Sequence, residues 1–104
     1  MKNFEEIRQA KVSLAMQNEN LSFGSLLRTV RKLLGITIGV ASEDTGISYS
    51  QMRNLERDLY ILEPKEDVIK KLTNYYGLPY DYAKFKIQER VKKVHDMRRG
   101  KIQH

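Results

Sequence analysis

The segment from Gly35 to Glu56 constrains this chain more than any other. It reads as a short helix, a glycine turn and a second short helix, apolar inside and hydrogen-bonding outside. Gly46 supplies the positive φ that a tight helix exit requires. Ile47 then returns to the core, and Ser48 stands where its hydroxyl caps the next helix by accepting a backbone N–H. On that helix Met52 and Leu55 lie three apart and face inward, which turns Tyr49, Ser50, Gln51, Arg53, Asn54 and Arg57 outward. Hydroxyls, amides and arginine are the side chains that pair with base edges and phosphates. Such a unit pushes one small helix out of a packed core, and its commonest use is entry into the major groove of DNA.

A chain of 104 residues is one small domain with a modest core and room for an added arm. It has no cysteine, so disulfides and thiolate metal sites are excluded, as suits a reducing compartment. No apolar run approaches the roughly 20 residues of a membrane span, and the N-terminus lacks the layout of a secretory signal. The expectation is a cytoplasmic protein with no membrane partner. The net charge of +6 is unevenly placed. Residues 81–104 hold eight basic side chains against three acidic ones, a balance of +5, while residues 1–21 and 61–80 each balance at zero. Such an end either attracts a polyanion, nucleic acid first, or is a solvated helix face.

The punctuation predicts helices throughout. Residues 3–17 place Phe4, Ile7, Ala10 and Leu14 on one side at helical spacing, interrupted by Lys11. Ser22 caps a second helix, with Leu21 and Leu26 set as a hydrophobic staple; Leu26, Leu27, Val30, Leu33 and Leu34 face its core, and Gly35 ends it. Thr37 caps the helix of residues 38–45. Pro64 suits a first helical turn, with Glu66 and Asp67 at the positive end of the dipole. Val68, Ile69, Leu72, Tyr75 and Tyr76 form that helix's apolar face, and Gly77 ends it. Pro79 opens a long final helix with a seam of Tyr80, Ala83, Ile87, Val91 and Val94; Tyr82 and Phe85 lie opposite. The apolar run Leu59, Tyr60, Ile61 and Leu62 reads either as core and hinge or as an exposed patch for a partner.

From about residue 22 to 85 the chain resembles the phage-repressor (Cro/cI-like, Xre) helix-turn-helix family. The matching pieces are Phe23-Gly24-Ser25-Leu26-Leu27-Arg28 with Arg31, then Gly35-Ile36-Thr37, Thr45-Gly46-Ile47-Ser48 and Leu55-Glu56-Arg57. Pro64, Val68-Ile69-Lys70-Lys71-Leu72 and Tyr76-Gly77-Leu78 complete them. The resemblance implies an all-α, lambda-repressor-like bundle of five helices over residues 21–85. An N-terminal helical extension (1–20) and a basic C-terminal helix (86–104) flank it. It also implies operator binding as a symmetric dimer. The family's base-reading positions fall on Tyr49, Ser50 and Asn54. Ser48 matches a position that touches phosphate or base, and Thr37 lies where a helix N-terminus meets a backbone phosphate. Gln51, Arg53 and Arg57 lie on the exposed flank. Arg31 and Glu56 match a pair that orients the recognition helix. Arg28, Arg31 and Lys32 read as structural or solvated.

Three departures weaken backbone grip. Ile38 stands where the family often has a phosphate-binding Gln, Gly39 costs about 1 kcal/mol of helix stability relative to Ala, and the loop after the recognition helix is Asp58-Leu59-Tyr60-Ile61-Leu62 instead of basic. Catalysis finds little support: only His95 and His104 are candidates for a general base, both in the charged end. No cofactor or metal motif is present. The sequence thus points to a repressor that binds double-stranded DNA as a homodimer through residues 48–57. The alternative is an antitoxin or other module on the same fold that binds a toxin or anti-repressor partner.

Overall fold

The computed structural model describes residues 3–102, with side chains through Arg98; His104 and the side chains of Arg99 and Lys101 lie outside the described residues. Over that span the chain is six helices without a strand: α1 (Phe4–Met16), α2 (Phe23–Leu33), α3 (Ile38–Thr45), α4 (Tyr49–Glu56), α5 (Glu66–Tyr76) and α6 (Tyr80–Ile102). Asn3, Ser22, Thr37 and Ser48 each keep extended backbone and accept an N–H from the residue three further on. In this geometry a side-chain oxygen satisfies a free helix donor. Gly35, Gly46 and Gly77 close α2, α3 and α5 at φ of 70°, 76° and 75°. The start of α5 differs from expectation. Pro64 stands before the helix, because Lys65 stays extended while its carbonyl accepts the first helical N–H groups, from Val68 and Ile69.

The core centres on α2, whose Phe23, Leu26, Leu27 and Val30 are all buried, and which packs against α1, α4 and α6. Each such side chain is worth about 1.5–3 kcal/mol relative to exposure. Met52 and Leu55 from α4, Ile69, Leu72 and Tyr76 from α5, and Ala83 and Ile87 from α6 close around it.

Helix α1 packs with a different face from the one its apolar stripe suggests. Phe4, Ile7, Ala10 and Leu14 are exposed, whereas Val12 and Ala15 are buried. The cause is Arg8. Its Nη1 donates to the carbonyls of Asn74 (3.2 Å) and Tyr75 (3.0 Å) at the end of α5, where helix carbonyls lack partners. Docking Arg8 brings the residues four and seven further on, Val12 and Ala15, onto the body.

Lys86 is a second departure: although counted with the basic end, it is buried. Its Nζ donates to the Glu19 carbonyl, sits 3.8 Å from the Glu89 carboxylate and lies over the Tyr82 ring. It thereby ties the α1–α2 connection to α6. The seam of α6 covers the body through Ala83 and Ile87, both fully buried, and loses cover by Val91 and Val94, which are half-buried. Phe85 on the opposite side is exposed. The expected domain boundary between residues 85 and 86 falls within this one continuous helix.

Candidate nucleic-acid interface

Three clamps fix the direction of α4. The first is the turn from α3. With Gly46 left-handed, the Thr45 hydroxyl donates to the Ala41 carbonyl (2.7 Å) and accepts from Ile47 N–H (3.2 Å), and the Ser42 hydroxyl donates to the Ile47 carbonyl. The polar groups freed by the bend are thus satisfied locally, as a buried turn demands.

The second clamp is a two-pronged ion pair. Arg31 Nε and Nη2 donate to Glu56 Oε2 (2.7 Å) and Oε1 (2.9 Å), and Nη1 donates to the Ile36 carbonyl (2.9 Å). One guanidinium therefore joins α2, the α2–α3 turn and the end of α4, in the fork geometry that suits arginine best. The hydrogen bond to Glu56 raises the Arg31 pKa further, so the guanidinium stays charged.

The third clamp is Asp58, the one non-glycine residue at positive φ (56°) among the described residues. Its carboxylate accepts from the Ser22 hydroxyl (2.6 Å) and from Gly24 N–H (3.0 Å), while its carbonyl accepts from Arg90 Nη2 (3.1 Å). Asp tolerates this backbone region better than most residues. Gly24 is required here by space: a Cβ would lie 2.5 Å from the Leu55 carbonyl oxygen and 2.7 Å from that of Glu56.

So held, α4 buries Met52, Leu55 and Glu56 and exposes Tyr49, Ser50, Gln51, Arg53 and Asn54, with Arg57 exposed just past its end. The outward residues fall into two flanks. Arg53 and Arg57 share a hollow of about 290 Å³ with Arg28, Arg31, Lys32 and Ile38, where Glu56 is the sole acid and is already paired. On the other flank Ser48, Ser50, Gln51 and Asn54 line a shallower hollow with Leu59, Tyr60 and Pro64. Thr37 and Tyr49 face a groove at the start of α3 that adjoins the cationic hollow, sharing Arg31, Lys32 and Ile38 with it. The Thr37 and Ser48 oxygens accept the capping N–H groups, which leaves each hydroxyl proton to donate outward.

One flank therefore concentrates cations, which suit phosphate and, through arginine, the guanine edge as well. The other presents hydroxyls and amides that both donate and accept, suited to base edges. Arg28 and Lys32 are exposed, as the solvated reading of them expects, and they line the cationic flank. Their spacing carries the signal, because residues 28, 31 and 32 share one face of α2. In the loop after α4, Leu59, Ile61 and Leu62 are exposed and Tyr60 turns in. No helix is long and apolar enough to cross a membrane, and no metal-binding cluster occurs, among the described residues.

A helix-turn-helix family profile matches residues 27–82, more than half of the chain, including all of α3, α4 and α5. No curated protein and no solved structure matches the chain. The order of clamped helices and the profile agree: the chain belongs to the Cro/cI-like, Xre-type helix-turn-helix family, whose members bind DNA.

Proposed function

We propose that this protein is a transcriptional repressor that reads an inverted-repeat operator as a homodimer, with residues 48–57 as its recognition helix. One observation carries the reading: the hydroxyl- and amide-bearing surface of α4 stands clear of the body, with the buried face of the same helix clamped at both ends. Asn54 pairs with adenine and Arg53 with guanine, each worth about 1–3 kcal/mol of discrimination. Tyr49, Ser50 and Gln51 border those contacts. Thr37, Ser48, Arg57, Arg28 and Lys32 meet phosphates.

A single half-site held by so few contacts is weak, so two copies are needed. The exposed Leu59, Ile61 and Leu62 beside α4 supply an apolar surface for the second protomer. The two recognition helices then enter successive major grooves about 34 Å apart. Selection of bound sites from random duplexes tests this. The expected product is a palindrome whose half-sites are centred about 10 base pairs apart; recovery of no enriched sequence overturns the proposal.

A further inference from the structure

The second half of α6 leaves the body. Among the described residues, the last fully buried one on it is Ile87, and the last hydrogen bond from it to the body is that of Arg90 to the Asp58 carbonyl. The helix nevertheless continues to Ile102, about 18 Å further at 1.5 Å per residue. The long axis of the molecule is 60 Å against 28 and 20 Å for the others, and the radius of gyration is 14.6 Å, compared with about 13 Å for a compact chain of 100 residues.

This projection is cationic. Residues 90–102 hold six basic side chains (Arg90, Lys92, Lys93, Arg98, Arg99, Lys101) and one acid, Asp96. Among the described residues, Lys92, Lys93 and Arg98 are exposed and make no ion pair. Lys92, Lys93 and Arg98 lie on different sides of the helix at 100° per residue, and two such helices side by side would repel. The origin of the projection matters equally: Arg90 roots it on Asp58, two residues past the end of α4. That loop offers phosphates little, since Asp58 is an acid and its neighbours Leu59, Ile61 and Leu62 are apolar.

We propose that the projecting half of α6 is a second, sequence-independent DNA contact, an arm that sets those of Lys92, Lys93 and Arg98 on its DNA-facing side against backbone phosphates beside the site read by α4. The proposal rests on the reading of α4 as the DNA-facing helix. Its contribution is electrostatic, the release of counterions from the duplex, and therefore appears in the salt dependence of binding.

The test measures binding of the full chain to a selected site and to a random duplex across a salt series. It compares the parent with a triple variant Lys92→Gln, Lys93→Gln, Arg98→Gln. A control removes the same charge from exposed positions on and before α5 (Lys65→Gln, Lys70→Gln, Lys71→Gln). Each cation withdrawn from a phosphate lowers the slope of log affinity against log salt by about 0.9. Because a duplex on one side of the helix meets one or two of these cations, the arm variant should lose about 1 to 2 from the slope, equally on both duplexes, while the control keeps it. Equal slopes for parent and arm variant overturn the proposal, as does an equal loss in the control, which assigns the effect to net charge alone. Sedimentation of the same proteins reads the rival occupant: a changed oligomeric state with an unchanged slope gives the arm to a second copy and overturns it too. If the parent shows no preference for any selected site, the repressor reading fails instead, and the slope on random duplex still decides the arm.

Discussion

Met52, Leu55 and Glu56 on one side of α4 are 2–8% exposed and have their polar groups paired, whereas Tyr49, Ser50, Gln51, Arg53 and Asn54 on the other are open to solvent. The two faces divide the work. The inner face and its clamps determine where the helix points and have no part in what it touches. The outer face contributes little to the fold and is free to vary in chemistry. Substitutions on the inner side should therefore move stability first and binding in consequence. Substitutions on the outer side should move binding alone.

Glu56→Ala strains that division most severely. It leaves the Arg31 guanidinium, itself largely covered, without its counter-charge, and breaking one partner of such a pair costs about 3–5 kcal/mol. That is a large part of the about 5–15 kcal/mol that holds a small domain together. Chemical denaturation should show the loss, and Glu56→Gln, which keeps the shape and one acceptor, should lose less. Gly24→Ala comes next. Its new methyl meets backbone oxygens of Leu55 and Glu56 that have little freedom to withdraw, and overpacking of this kind costs about 1–3 kcal/mol. Because the shift is forced on α4, DNA affinity should fall further than the melting temperature suggests.

Ser48→Ala sits on the line between the faces. Removing the cap on Gln51 N–H should cost about 1 kcal/mol of stability, and the missing hydroxyl should weaken DNA binding as well. A stability change with unaltered binding would place Ser48 wholly on the inner side. The smallest effect belongs to Tyr75, whose hydroxyl donates to Asp44 and links α5 to α3. Burial and this bond push its pKa up to about 12 from 10.0. The neutral form is the one favoured by folding. Its contribution is complete below pH 10 and is lost as pH rises through about 12. Ultraviolet titration should show Tyr75 and Tyr80 ionising near pH 12, and Tyr75→Phe should remove one of the two.

Much of the inner frame is legible in the sequence because it depends on local rules. Ser22, Thr37 and Ser48 cap, Gly35, Gly46 and Gly77 terminate, and Met52 and Leu55 repeat at helical spacing. Helix α1 is not legible in the same way. Its docking is decided by Arg8 reaching carbonyls of Asn74 and Tyr75, an interaction across 66 and 67 residues that outweighs a thin apolar stripe. Lys86 and Asp58 illustrate the same limit. A lysine in a basic run and an aspartate in a loop carry no local mark of the Glu19 carbonyl or the Gly24 N–H that hold them. On the outer face the residue types of α4 are readable, but the grouping of Arg28 and Lys32 with Arg53 and Arg57 depends on how α2 and α4 cross.

If the exposed side of α4 reads bases while adding nothing to the fold, binding and stability must separate there. Band-shift titration of Asn54→Ala and Tyr49→Ala on a selected site, with melting curves on the same samples, tests this directly. Asn54→Ala should weaken selected-site binding about ten- to a hundred-fold, corresponding to the loss of one base pairing. Tyr49→Ala should weaken it by less, and both proteins should melt with the parent. Variants that bind the site as tightly as the parent would contradict a base-reading role for this face.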